Sequence, residues 1–105
     1  GPPADRLARW LDGMMTASLS AMRHLDDIEA WAMRADAEMA PLSGKTPPAL
    51  RALLTEWPLV SAPMTEILTG ASRAAVQRNL GWLEARGLIR EVTGQGRYRM
   101  WRATI

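Results

Sequence analysis

The stretch from Ser61 to Trp101, SAPMTEILTGASRAAVQRNLGWLEARGLIREVTGQGRYRMW, constrains this chain more than any other part. Ser61 to Pro63 opens a short helix over Met64 to Leu68, with Ile67 and Leu68 inward. Thr69-Gly70-Ala71 turns the chain, and Gly70 can supply the positive φ that a tight turn needs. Ser72 has the side chain to cap a second helix, which runs to about Arg86 and stops at Gly87. Leu88 to Val92 and Arg97 to Trp101 read as two short strands joined by the loop Thr93-Gly94-Gln95-Gly96.

The residues before it divide by composition. Ala4 to about Ala40 holds one Gly and no Pro. Leu7, Leu11, Met14, Ser18, Ala21, Leu25, Ile28, Ala32, Ala35 and Met39 recur there at alternating spacings of four and three, a heptad seam. One straight helix of that length spans ~54 Å. It either pairs with another chain, with Leu7, Leu11, Met14, Leu25 and Ile28 as the dimerisation residues, or breaks near Gly13 or His24–Asp27 and folds back. Periodicity alone leaves both open. Trp10, Met15, Met22 and Trp31 lie off the strict seam and widen the apolar stripe. Pro41 to Thr46 reads as a linker, with Thr46 as N-cap and Pro47 at the first helical position. The next helix reaches Trp57 with Ala49, Leu50, Leu53, Leu54 and Trp57 inward. Pro58 stops it, and Leu59-Val60 makes a small strand. The expected fold is therefore mainly α with a small β-hairpin wing: a winged helix-turn-helix over residues 47–105, joined by a linker at 41–46 to a long helical arm at 4–40.

Charge is unevenly placed. Residues 1–71 hold six basic and nine acidic side chains, whereas 72–105 hold seven Arg against Glu84 and Glu91, net +5. An Arg-rich genome accounts for Arg over Lys but not for that split, which predicts a local polyanion-binding face. The chain has no Cys, so thiolate metal sites and disulfides are excluded. No apolar run approaches the ~20 residues that span a bilayer, and no signal peptide is visible, which fits a cytoplasmic protein with no membrane partner. Gly1-Pro2 reads as a protease scar, so residues 1–3 are expected to be disordered and the chain to be a trimmed domain of something larger.

In the helix after Ser72, Val76, Leu80 and Leu83 share one buried face. The other face carries Arg73, Ala74, Gln77, Arg78 and Gly81. Arg and Gln make bidentate contacts to guanine and adenine edges in a major groove, and small Ala74 and Gly81 let the backbone approach. The competing reading is that Arg73 and Arg78 are ordinary solvated charges. At the wing, Gln95 sits at the tip. Arg97 and Arg99, two apart on a strand, face one side, with Tyr98 and Met100 turned toward the core. Arg97 is placed to meet phosphate or a minor groove. Arg99 either does the same or pairs with Glu84 or Glu91. Trp101 reads as packing.

Pro58-Leu59-Val60-Ser61-Ala62-Pro63, Ser72 with Val76, Arg78, Leu80 and Leu83, Gly87-Leu88-Ile89-Arg90-Glu91 and Thr93-Gly94-Gln95-Gly96-Arg97-Tyr98-Arg99 together resemble a bacterial C-terminal winged helix. It is similar to the one appended to Fic-family proteins and to a plasmid-borne family of helix-turn-helix proteins. The upstream Trp10-Leu11 helix resembles the segment before that domain. The catalytic Fic loop is absent from this sequence, and Ala75 stands where such helices often carry Thr. The resemblance implies a non-catalytic DNA-binding module.

Ser20, His24 and Asp27 share a helix face, but a triad also needs an oxyanion hole and a pocket. His24 has no second His or Cys to complete a metal site, and the seven Met read as core filler. The expectation is thus no enzyme, no metal and no cofactor. Duplex DNA is the partner, bound at Ser72, Arg73, Ala74, Gln77, Arg78, Gln95, Arg97 and Arg99 by a homodimeric transcriptional regulator on a near-palindromic site. The alternatives are a protein-interaction module or the regulatory tail of a larger Fic-like enzyme.

Overall fold

Trp31 marks where the arm ends and the body begins. In the computed structural model, which describes residues 1–94 and 96–105, its ring is 1% exposed. Its Nε1 donates 2.8 Å to the carbonyl of Leu88. The helix that carries it, α1, runs unbroken from Pro2–Met39. It starts before the expected Ala4, because proline costs nothing in a first turn whose N–H groups have no intrahelical partner. Pro2 and Pro3, expected to be disordered, therefore lie inside the helix.

Four helices and three strands follow the order α1, α2 (Thr46–Glu56), β1 (Val60–Ser61), α3 (Ala62–Thr69), α4 (Arg73–Ala85), β2 (Ile89–Glu91) and β3 (Met100–Ala103) among the described residues. This is a mainly α chain with a small antiparallel sheet, ordered β1-β3-β2, attached to a helix-turn-helix. Val60 pairs with Trp101, and Ile89 with Ala103, so β3 is the central strand. The body is close-packed around Leu50, Leu54, Val60, Val76, Leu80, Leu83, Leu88 and Ile89. From α1 only Trp31, Ala35 and Met39, one face at i, i+4 and i+8, are buried.

The arm stands clear of that body. A compact chain of this length has a radius of gyration of about 13 Å, whereas this one has 18.4 Å and a longest dimension of 64 Å. Every residue from 1 to 27 is exposed. Fold-back at Gly13 or His24–Asp27 therefore does not occur.

Capping matches the turn chemistry at two places. Ser61 Oγ accepts from the Met64 N–H, and Ser72 Oγ accepts from the Ala75 N–H, both at 3.2 Å. Gly70 takes φ 71°, a left-handed conformation that closes α3 at little cost only for glycine. At α2 the cap position belongs to Lys45, one residue before the expected Thr46, and no side chain fills it. Substituting Ser72→Ala is expected to cost about 1 kcal/mol, read as a lower urea midpoint with an unchanged slope.

Three expectations about the inner faces fail. Trp57, expected inward at the end of α2, is its C-cap with extended backbone, which turns the ring off the helix face, and it is 46% exposed. Ile67 and Leu68 are 80% and 55% exposed, and the buried residue of α3 is Thr65. Its hydroxyl donates 2.8 Å to the Ser61 carbonyl, so its polar end is satisfied and its methyl can be buried. Tyr98 is 84% exposed and has φ 55°. That turn ends the extended backbone before Met100, so the strand does not begin at Arg97 and period two does not apply at Tyr98.

Candidate nucleic-acid interface

Helix α4 offers the body's outer ridge. Its buried residues are Val76, Leu80 and Leu83. On the opposite side Ala74, Gln77, Arg78 and Gly81 are all exposed, two small residues bracketing two long polar ones. Arg73 and Gln77 stand at one edge of that ridge. They line a cleft of about 400 Å³ together with Glu66 of α3 and with Arg97, Tyr98 and Arg99 of the wing. The structure thus brings Arg73, Gln77 and Arg97 together, from segments about twenty residues apart. Arg78 and Ala74 sit beside the cleft on the ridge. Ser72 is the N-cap, with its hydroxyl engaged by the Ala75 N–H. Gln95 lies outside the described residues.

The seven Arg of the basic half are not equivalent. Arg73, Arg78 and Arg97 are exposed and make no ion pair with a described residue. Arg99 is held instead: its guanidinium lies 3.9 Å from Glu84 and 3.8 Å from Glu91. It also lies 4.8 Å from the centre of the Trp101 ring. Trp101 Nε1 donates 3.0 Å to the same Glu84 carboxylate. Glu91 further accepts from the Thr93 hydroxyl and the Gly94 N–H. This network ties the wing to the C-terminal half of α4, so Arg99 positions the wing. Arg86 lies 3.7 Å over the Trp82 ring, near Glu38. Arg90 and Arg102 are direct cross-strand neighbours. They point away from the buried face of the sheet that carries Ile89, Trp101 and Ala103.

Arg99→Ala is accordingly expected to reduce stability by up to ~1 kcal/mol, the worth of a partly exposed ion pair. Its effect on affinity for a duplex should be smaller than that of Arg97→Ala. Parallel denaturation and binding titrations of the two variants check this.

Two cleft residues were missed in the sequence. Tyr98, placed in the core by strand alternation, is an exposed phenol on the wing with no hydrogen bond to a described residue, suited to a phosphate oxygen. Glu66 brings a negative charge to the cleft floor. Only the tertiary approach of α3 to the wing brings it there.

The expected dimerisation residues lie far from this cleft. Leu7, Leu11, Met14 and Leu25 are 48–59% exposed on the free arm, and Ile28 is half-buried where the arm meets the body. Ser20, His24 and Asp27 are exposed on the same arm. No described helix is long and apolar enough to cross a membrane. No family model, curated protein or solved structure matches the chain.

Proposed function

We propose that this chain binds duplex DNA through α4 and the wing, as a homodimeric transcriptional regulator that performs no catalysis. One observation carries the reading. Arg78 and Gln77 stand between Ala74 and Gly81 on an exposed helix ridge, with the exposed Arg97 of the wing, which pairs with no described carboxylate, across the adjoining cleft. A helix of this width enters a major groove, where Arg and Gln read base edges while the wing meets backbone phosphate.

A second reading, a protein-interaction module, draws on exposed apolar residues: Ile67 and Leu68 on α3 and the stripe along the arm. Amide NMR during titration with a short duplex separates the two. DNA binding moves resonances of residues 72–81 and 96–99 and leaves 7–25 unmoved. No perturbation of α4 or the wing at low salt would leave the interaction module as the better reading.

A further inference from the structure

Between residues 7 and 25 the arm presents eight large apolar side chains to solvent: Leu7, Trp10, Leu11, Met14, Met15, Leu19, Met22 and Leu25, each 48–65% exposed. At 100° per residue they centre about a quarter turn from the face that Trp31, Ala35 and Met39 bury against the body. That offset is largely the drift that a heptad seam accumulates along a straight helix, so the seam that ends buried at Ala35 and Met39 leaves its N-terminal part uncovered. Gly13, Thr16, Ser18 and Ser20 interrupt the same stretch with poor helix formers. A helix of this kind, touching nothing, is marginal in water and needs a covering surface.

We propose that the surface is a second copy of the arm, running antiparallel about a two-fold axis level with Thr16. This deepens, and rests on, the homodimer proposed above. In this register residue i lies opposite residue 32 − i of the partner, within the alternation of antiparallel heptads. Leu7 meets the partner's Leu25, Leu11 meets the partner's Ala21, and Met14 meets the partner's Ser18. Each small seam residue thus faces a large one, as close packing requires. Off the seam, Trp10 lies level with the partner's Ala21 and Met22. A parallel pair in register sets Ser18 on Ser18 and Ala21 on Ala21, two consecutive layers with little to bury. Sliding the antiparallel pair one heptad toward the body puts Ser18 on Ala21 and drives the partner's Leu7 onto Ala32, which already packs against the core.

Charge is compatible with this orientation: Arg6 comes level with the partner's Asp26, while the like-charge levels, Arg9 with the partner's Arg23 and Asp5 with the partner's Asp27, fall on the outer faces, and a parallel pair would set Asp26, Asp27 and Glu29 level with their own copies. The area is sufficient as well. If each of the eight side chains covers ~100 Å², the pair buries ~1,600 Å², a standard stable interface. At its body end the stripe runs into a cleft of about 430 Å³ lined by His24, Ile28, Trp57, Leu59 and Ile105, where the partner's first turn would lie. The two Trp31 anchors then stand ~45 Å apart along the arms. The arms hold the two recognition helices apart.

Spin labels test the arrangement, because the native chain has no cysteine to mask. Asp5→Cys and Thr16→Cys are exposed, polar positions off the stripe. Each is labelled singly in the full chain, and dimer mass is checked by light scattering. Antiparallel pairing brings the two labels at position 16 to one level and offsets those at position 5 by ~33 Å along the axis. The label-to-label distance at position 5 should then exceed that at position 16 by more than 10 Å. Equal distances at both positions would overturn the antiparallel pairing and leave the dimer standing. A monomer with no dipolar coupling at either position would overturn the dimer as well, whatever the DNA titration shows.

Discussion

Replacing Trp31 by alanine is expected to destabilise the protein by about 3–5 kcal/mol, the range for a buried Trp or Phe cut back to its Cβ. The side chain is among the largest that are fully buried. Its Nε1 is the donor to the Leu88 carbonyl at the base of the wing, 57 residues away. Truncation opens a cavity in the core, and the Leu88 carbonyl keeps only the Thr104 N–H, at 3.0 Å. A small domain is stable by only ~5–15 kcal/mol in total, so this single change can consume most of the margin. The arm should be released at the same time, because its other ties are weaker. Arg34 Nη2 donates to the Thr104 carbonyl at 3.0 Å, and Arg51 pairs with Asp36 at 2.8 Å, both toward the surface. Trp31→Phe keeps most of the volume and loses the hydrogen bond, so it should cost less, about 1–3 kcal/mol. Urea denaturation followed by tryptophan fluorescence and by circular dichroism measures both. A Trp31→Ala protein as stable as the parent would mean that the arm is not anchored through this ring.

Arg78→Ala and Arg97→Ala are expected to weaken duplex binding in different ways. Arg78 stands on the ridge proposed to enter a major groove, so its loss should cost ~1–3 kcal/mol at a preferred site and flatten selection at one base position. Arg97 belongs to the wing and is assigned to phosphate. Its loss should weaken all duplexes about equally and lower the slope of log affinity against log salt by about one. Sequence selection from a randomised duplex pool, followed by titration of each variant, resolves the two effects. Indistinguishable behaviour of the variants would reject the division of labour between helix and wing.

The helical framework was legible because its signals are local. Ser61 and Ser72 cap, Gly70 and Gly87 terminate, and Val76, Leu80 and Leu83 repeat at helical spacing; each depends on a few neighbours in the chain. α3 was read inside out because eight residues are too few for periodicity to choose a face. There a threonine satisfied by the Ser61 carbonyl was buried in place of Ile67 and Leu68. The wing was misread at Tyr98 for a different reason. Its positive φ interrupts the extended backbone, and strand alternation assumes that no such break occurs. The basic half of the sequence predicted a polyanion face, yet Arg90 and Arg102 lie on the sheet's outer side and Arg99 is tied to Glu84 and Glu91. Net charge counts these residues alike; only tertiary structure separates the tethered from the free. Periodicity left the arm open between pairing and folding back. Continuity through Gly13 and burial only from Trp31 onward exclude folding back.

The central claim is that α4 and the wing form a polyanion-reading surface. It is tested most directly by the salt dependence of binding to a labelled duplex, followed by fluorescence anisotropy from about 50 to 200 mM salt. The expected result is binding at the lowest salt, with log affinity falling linearly against log salt. The slope should correspond to several phosphate contacts and be reduced when Arg78 and Arg97 are both alanine. An absence of binding at the lowest salt, or an affinity indifferent both to salt and to the loss of those two side chains, would contradict it.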